Sequence, residues 1–152
     1  MKVSIESFLR TGKFGSVEIG MPKEQVLRIL GEADCDHDLG STGSILLYAW
    51  YEFFFNHESI LYSIQNDSYD SSNKDTFYFK NDIFEIEPFL LNGDGNKNME
   101  TVKILLQKNS LKYKIIDYHE RKALKLSSGI VVDFGEDENG EFEFIGIRFW
   151  PE

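Results

Sequence analysis

The sequence predicts an α+β fold built from two copies of one unit, and three observations carry that prediction. An eight-residue segment near the start recurs near the middle of the chain. Twice, short stretches with helical apolar spacing precede longer runs rich in β-branched and aromatic residues. The composition, 41% hydrophobic and 14% aromatic over 152 residues, is too apolar for a disordered chain. A chain of this length buries enough surface to fold without a disulfide or metal.

The repeat is direct. Ile5-Glu6-Ser7-Phe8-Leu9-Arg10-Thr11-Gly12 returns as Ile86-Glu87-Pro88-Phe89-Leu90-Leu91-Asn92-Gly93, identical at five of eight positions and offset by 81. Val26 and Leu30 match Val102 and Leu106 at an offset of 76. Tyr51-Glu52-Phe53 matches Val132-Asp133-Phe134 at 81, and Ile64 matches Ile147 at 83. These matches, all in one order, set a first repeat at 1–75 and a second at 76–152, packed as one globule.

Each repeat opens with a short helix carrying Ile5, Phe8 and Leu9, or Ile86, Phe89 and Leu90, with Pro88 in the first turn of the second. Gly12 and Gly93 close these helices. A second helix runs from Pro22 to Gly31 with Val26, Leu27, Ile29 and Leu30 inward. Its counterpart starts at an Asn98 cap and turns Val102, Ile104, Leu105 and Leu106 inward. Strands follow at Ile45–Ala49, Trp50–Asn56, Ser59–Asn66 and Thr76–Phe84, then at Lys112–Tyr118, Ala123–Leu126, Ile130–Phe134 and Glu141–Phe149. Asn139-Gly140 reads as a type I′ hairpin turn. Polar 67–75 joins the halves. The expectation is a pair of helix–loop–helix plus antiparallel-sheet units, with helices on one sheet face.

With 16 basic and 26 acidic side chains the net charge is 16 − 26 = −10. That balance argues against nucleic acid and against an anionic membrane surface, and it favours a basic protein partner. No apolar run is long enough to span a bilayer, and no secretion signal opens the chain. The single Cys35 implies no disulfide. A cytoplasmic protein is expected.

Gly20-Met21-Pro22-Lys23-Glu24-Gln25-Val26-Leu27-Arg28-Ile29-Leu30-Gly31-Glu32-Ala33-Asp34 resembles the helix motif of the SmpA/OmlA-like and β-lactamase-inhibitor-protein-like families. In those families such a helix leads into an antiparallel sheet, and the inhibitor proteins are tandem duplications of this unit. Ala33 stands where the families usually have Pro, and no lipidation signal is found, so an outer-membrane assembly role is not expected. The resemblance implies protein binding through the open sheet face and no catalytic residues.

Two local clusters bear on metal or catalytic chemistry. Asp34-Cys35-Asp36-His37-Asp38 offers carboxylate, thiol and imidazole ligands, which would suit a small metal- or ligand-binding domain or a hydrolase. Contiguous residues seldom converge on one ion, so a solvated loop is expected there. Asp94-Gly95-Asn96-Lys97-Asn98 opens like a calcium loop but has Met99 and Leu105 where an EF-hand needs Gly and Glu. No catalytic or cofactor motif appears, and neither a metal nor a cofactor is expected.

Strand alternation identifies a binding face. Read as one strand, 47–55 puts Leu47, Ala49, Tyr51, Phe53 and Phe55 inward, leaving Tyr48, Trp50, Glu52 and Phe54 outward. In the last strand Ile145, Ile147 and Phe149 point inward, with Phe144, Arg148 and Trp150 outward beside Asp133. Trp, Tyr and Arg dominate interface energetics. The expected partner-binding residues are therefore Tyr48, Trp50, Glu52, Asp133, Arg148 and Trp150. The function this supports is a non-catalytic inhibitor or toxin-immunity protein that occludes a partner's active site. A homodimer formed through the same face is the other arrangement to test.

Overall fold

The computed structural model describes residues 1–73, 75–91 and 97–149, with Leu90 described by its backbone alone. Strand β1 (Lys2–Ser4) runs straight into helix α1 (Ile5–Thr11), and Ser4 caps the helix by accepting the Ser7 N–H at 3.1 Å. Ile5, Phe8 and Leu9 are its buried residues, and Gly12 ends it at φ 78°, a left-handed conformation that glycine takes at little cost. Helix α2 (Lys23–Leu30) starts directly after Pro22 and buries Val26 and Leu30. Helix α3 (Met99–Lys108) is capped by Asn98, which accepts the Thr101 N–H, and buries Val102 and Leu106. Ile104, expected inward, is 51% exposed.

The remaining strands are, in chain order, β2 (Cys35–Asp38), β3 (Ser44–Tyr48), β4 (Tyr51–Phe55), β5 (Leu61–Asn66), β6 (Glu85–Glu87), β7 (Tyr113–Tyr118), β8 (Arg121–Leu126), β9 (Ile130–Glu136) and β10 (Phe142–Phe149). Strand β1 pairs in parallel with β6 as a separate two-stranded sheet. The other eight form one antiparallel sheet. Their spatial order is β2-β3-β4-β5-β10-β9-β8-β7, so two four-stranded meanders meet where β5 lies beside β10. The fold is α+β, and both halves of the chain contribute to one continuous large sheet.

Buried residues of all three helices share one core with Leu46, Phe53, Ile64, Val132, Phe134 and Ile147. Aromatic rings dominate it. Phe14, from the loop between α1 and α2, meets Phe8, Phe53 and Tyr51 at centroid distances of 5.6, 5.2 and 5.4 Å. The first two are edge-to-face, the favoured geometry for ring quadrupoles.

Three local expectations need correction. Phe89–Leu91 form a single 3-10 turn, and Ile86 lies in β6, so the segment matched to α1 is a strand and a turn instead of the expected helix. Pro88 biases Glu87 toward extended backbone, and Phe89 takes φ 58°, outside the helical region. The expected Gly93 cap lies outside the described residues. Thr76–Phe84 is not a strand, because the Asn81 side chain accepts the N–H groups of Ile83 and Phe84 and folds the segment into a turn. At the Asp137–Glu141 hairpin only Gly140 has positive φ. Asp137 accepts the N–H groups of Asn139 and Glu141, giving a three-residue loop in place of the two-residue type I′ turn. The type I′ pattern falls instead at His119 (φ 48°) and Glu120 (φ 66°), between β7 and β8.

The β5–β10 seam depends on one glycine. The β9–β10 register shifts between Phe144 and Gly146, and a Cβ on Gly146 would lie 2.2 Å from the Asn66 carbonyl oxygen and 2.4 Å from the Asp67 Cα. Both neighbours are backbone, so neither can move aside. Gly146→Ala is expected to cost about 1–3 kcal/mol. That corresponds to a fall in Tm of roughly 2–12 °C for a chain of this size. A melting curve matching wild type would show that the seam tolerates a methyl group.

Candidate binding face

Pairing in the β3–β4 hairpin decides which side chains share a face. Tyr48 opposes Tyr51, so Ala49 and Trp50 form a two-residue turn and 47–55 is not one strand. Opposed residues in an antiparallel pair point the same way. Tyr48 therefore sits with Tyr51 and Phe53 in the core, fully buried, and is not a surface anchor. Its hydroxyl donates to the Gly31 carbonyl at 2.7 Å. The bulge at Ile145 likewise turns Phe144 inward against Tyr69 and Phe77.

Strand register then defines the opposite face from end to end. Glu52 pairs Gln65, Gln65 pairs Arg148, and Arg148 pairs Val131, itself beside Lys125. Along this line the polar side chains are bonded to each other. Gln65 Nε2 donates to Glu52 Oε1 at 2.9 Å, and Arg148 Nε donates to Gln65 Oε1 at 2.6 Å. Arg148 Nη1 donates to the Tyr118 hydroxyl at 2.6 Å, and its Nη2 lies 3.8 Å from Asp67 Oδ2. Beside this chain Arg121 grips Asp133 through two bonds, Nε to Oδ1 at 3.1 Å and Nη2 to Oδ2 at 2.8 Å. The Asp133 side chain is 4% exposed, and its bond holds the Arg121 proton more firmly than usual.

The face thus brings together Glu52, Asp133 and Arg148 of the six expected anchors. All three are tied into hydrogen bonds with Gln65, Tyr118 or Arg121. Trp50 projects from the hairpin turn, 48% exposed. Trp150 lies outside the described residues. Gln65, Tyr118 and Arg121 were missed, although the offset of 83 that aligns Ile64 with Ile147 also aligns Gln65 with Arg148. Near its β7 end the face holds a depression of about 410 Å³ lined by Ile116, Tyr118, His119, Lys125, Val131 and Arg148, with Asp117 at its rim.

Of the Asp34–Asp38 cluster, Cys35–Asp38 form an exposed edge strand instead of a loop, and strand alternation disperses their side chains. Asp36 pairs with Lys23 at 2.8 Å, Asp38 accepts the Gly40 N–H, and Asp34 accepts the Ala49 N–H. Cys35 and His37 fall on the other face. A separate acidic group, Asp137, Glu141 and Glu143, gathers its carboxylates within 4.8 Å of one another at the β9–β10 turn. Partial burial, then the Asp137 and Glu141 charges, raise Glu143 above the ordinary carboxylate range.

No family model matches the chain, and no curated protein or solved structure does either. Among the described residues no helix is long and apolar enough to cross a membrane.

Two expectations follow from these environments. Asp133→Ala strands a partly buried guanidinium and should cost about 3 kcal/mol by urea unfolding; a loss under about 1 kcal/mol would mean that Arg121 finds water instead. Burial, then Asp34 and Asp36, push the Tyr48 phenol up to about 12, and burial raises Tyr51 further. A phenol whose native value is raised stabilises the fold below its unfolded value near 10. That stability drains as pH climbs from about 10 toward 12, by roughly 3 kcal/mol for Tyr48. Phenolate absorbance in the near ultraviolet should therefore show both groups ionising only with unfolding.

Proposed function

We propose that the chain is a non-catalytic protein-binding module of the inhibitor or immunity-protein type, which occludes a partner's active site with the sheet face opposite its core. The observation that carries this reading is the bonded line Glu52–Gln65–Arg148–Tyr118, with Arg121–Asp133 beside it. Side chains already fixed by mutual hydrogen bonds lose little rotamer freedom when a partner covers them. Half-exposed Phe54, Leu47 and Ile116 lie on the same face, and exposed Tyr62 and Trp50 add aromatic surface.

A duplicated origin supports the same reading. Glu52 lies in the third strand of one meander and Asp133 in the third of the other, at the offset the sequence repeat gives. Their neighbours Gln65 and Arg148 meet at the seam. Helices packed on one sheet face, as in the inhibitor proteins that the α2 motif resembles, would leave this face for a partner. Asp34, bonded to the Ala49 N–H of the turn, and Glu52 on the face put carboxylates near Trp50, so this end suits a basic surface. The exposed thiol of Cys35 suits a reducing compartment, and the partner is sought in the cytoplasm.

The test captures partners from host lysate on tagged wild type and on Trp50→Ala, then measures the purified partner by calorimetry. Trp50→Ala is expected to weaken binding by at least about 2 kcal/mol, near 30-fold, with Tm unchanged. Equal binding by the two proteins would remove Trp50 from the interface. Capture of nothing but the chain itself would favour a homodimer.

A further inference from the structure

We propose that the outer edge of β7 takes up an extended acidic segment of a partner protein as a ninth strand, its carboxylates lying on Lys112, Lys114 and Lys125. This concerns the end of the sheet farthest from the Trp50 turn and does not depend on the occlusion reading.

The backbone supplies the first argument. Strand β7 is the last of the large sheet, paired with β8 on one side and with no described strand on the other. Tyr118 and Arg121 close a two-residue turn, so that pair exchanges hydrogen bonds and the pattern alternates from there. By that alternation Tyr118, Ile116 and Lys114 bond inward to β8. The N–H and C=O groups of Tyr113, Ile115 and Asp117 face outward. An extended chain satisfies such a row of groups in the way that partners of peptide-binding sheet edges do.

Charge supplies the second. Residues 97–126 carry 8 basic and 3 acidic side chains, 8 − 3 = +5, inside a chain whose total is −10. Lys114 opposes Lys125 across the β7–β8 pair, and with Lys112 they border a depression of about 540 Å³ floored by Leu126, Ser127 and Gly129. Ile115, 54% exposed on the opposite face of the strand, offers an apolar contact to the alternate side chains of an added strand. The occupant is therefore a chain with carboxylates on one side and apolar groups on the other. A second β7 edge would bring Lys114 against Lys114, and a nucleic acid has no peptide N–H and C=O row to pair with the strand edge. The far edge, β2, carries Asp36 and Asp38, so the same acidic segment is repelled there.

The probe is a fluorescent peptide of about ten residues with alternating Val and Glu, long enough to cover one strand. It is read by anisotropy against the full chain, with a Val–Lys peptide as control. Val–Glu is expected to bind and Val–Lys not. Lys114→Glu should weaken binding roughly tenfold. Ile115→Pro should do the same, since it deletes an outward N–H and keeps the inward bonds to β8; thermal melting confirms that both variants are folded. Trp50→Ala should leave peptide affinity unchanged, which separates this site from the occluding face. The proposal is overturned if Val–Glu fails to bind wild type, or if Ile115→Pro binds it as wild type does. A concentration-dependent dimer abolished by Ile115→Pro would also overturn it, by giving the edge to a second copy.

Discussion

Everything in the large sheet depends on the contact between β5 and β10. Without it the chain holds two four-stranded meanders, each with a raw edge and a half-covered core. With it, Phe149 is set opposite Ile64 and Arg148 opposite Gln65. The first pair belongs to the apolar core and the second to the polar face, so one register fixes both. A slip by one residue would put Arg148 among phenyl rings and Phe149 in the hydrogen-bonded line. Gly146 permits the close approach that holds this register. The Tyr69 N–H, donating to the Ile145 carbonyl at 3.0 Å, fastens the chain leaving β5 onto the bulge beside it.

That seam also explains why the polar line is stable in a half-buried place. A guanidinium taken out of water is costly unless its donors are met. Arg148 comes from the second half of the chain, Gln65 and Asp67 from the first, and Tyr118 from β7. Each half alone leaves the network incomplete. The face is thus a property of the assembled sheet, and the residues that make it most rigid are those farthest apart in sequence.

Much of the fold was legible because local rules acted alone. Gly12 and Asn98 signal helix ends through their own φ or their own hydrogen bonds, and the apolar spacing of Phe8, Leu9, Val26, Leu30, Val102 and Leu106 marks the faces that become buried. Legibility failed where a turn type had to be known first. Reading 47–55 as one strand sent Tyr48 outward, whereas the hairpin at Ala49–Trp50 returns it to the core. The two-residue turn with both φ positive belongs to His119–Glu120, which carries none of the Asn or Gly that usually announces it, and Asn139–Gly140 serves a longer loop. The bulge at Ile145 reversed Phe144 for the same reason: an inserted residue shifts parity without any mark in the composition. Of the site, Glu52, Asp133 and Arg148 were readable from alternation. Gln65, Tyr118 and Arg121 needed the cross-strand register.

Net charge is the clearest case of a whole-chain quantity concealing a local one. A total of −10 points to a basic partner, yet it is the sum of −9 for residues 1–96, +5 for 97–126 and −6 for 127–152. The sheet order sets part of this contrast at its two edges, with Asp36 and Asp38 on β2 and Lys114 on β7, Lys112 just before it. A partner approaching from solution responds to the total at long range, and within a Debye length of about 8 Å it responds to the patch it faces. On the two proposals above, basic surface would be drawn to the Trp50 end and acidic chain to β7, and a partner carrying both in that order would be held in one register across the face.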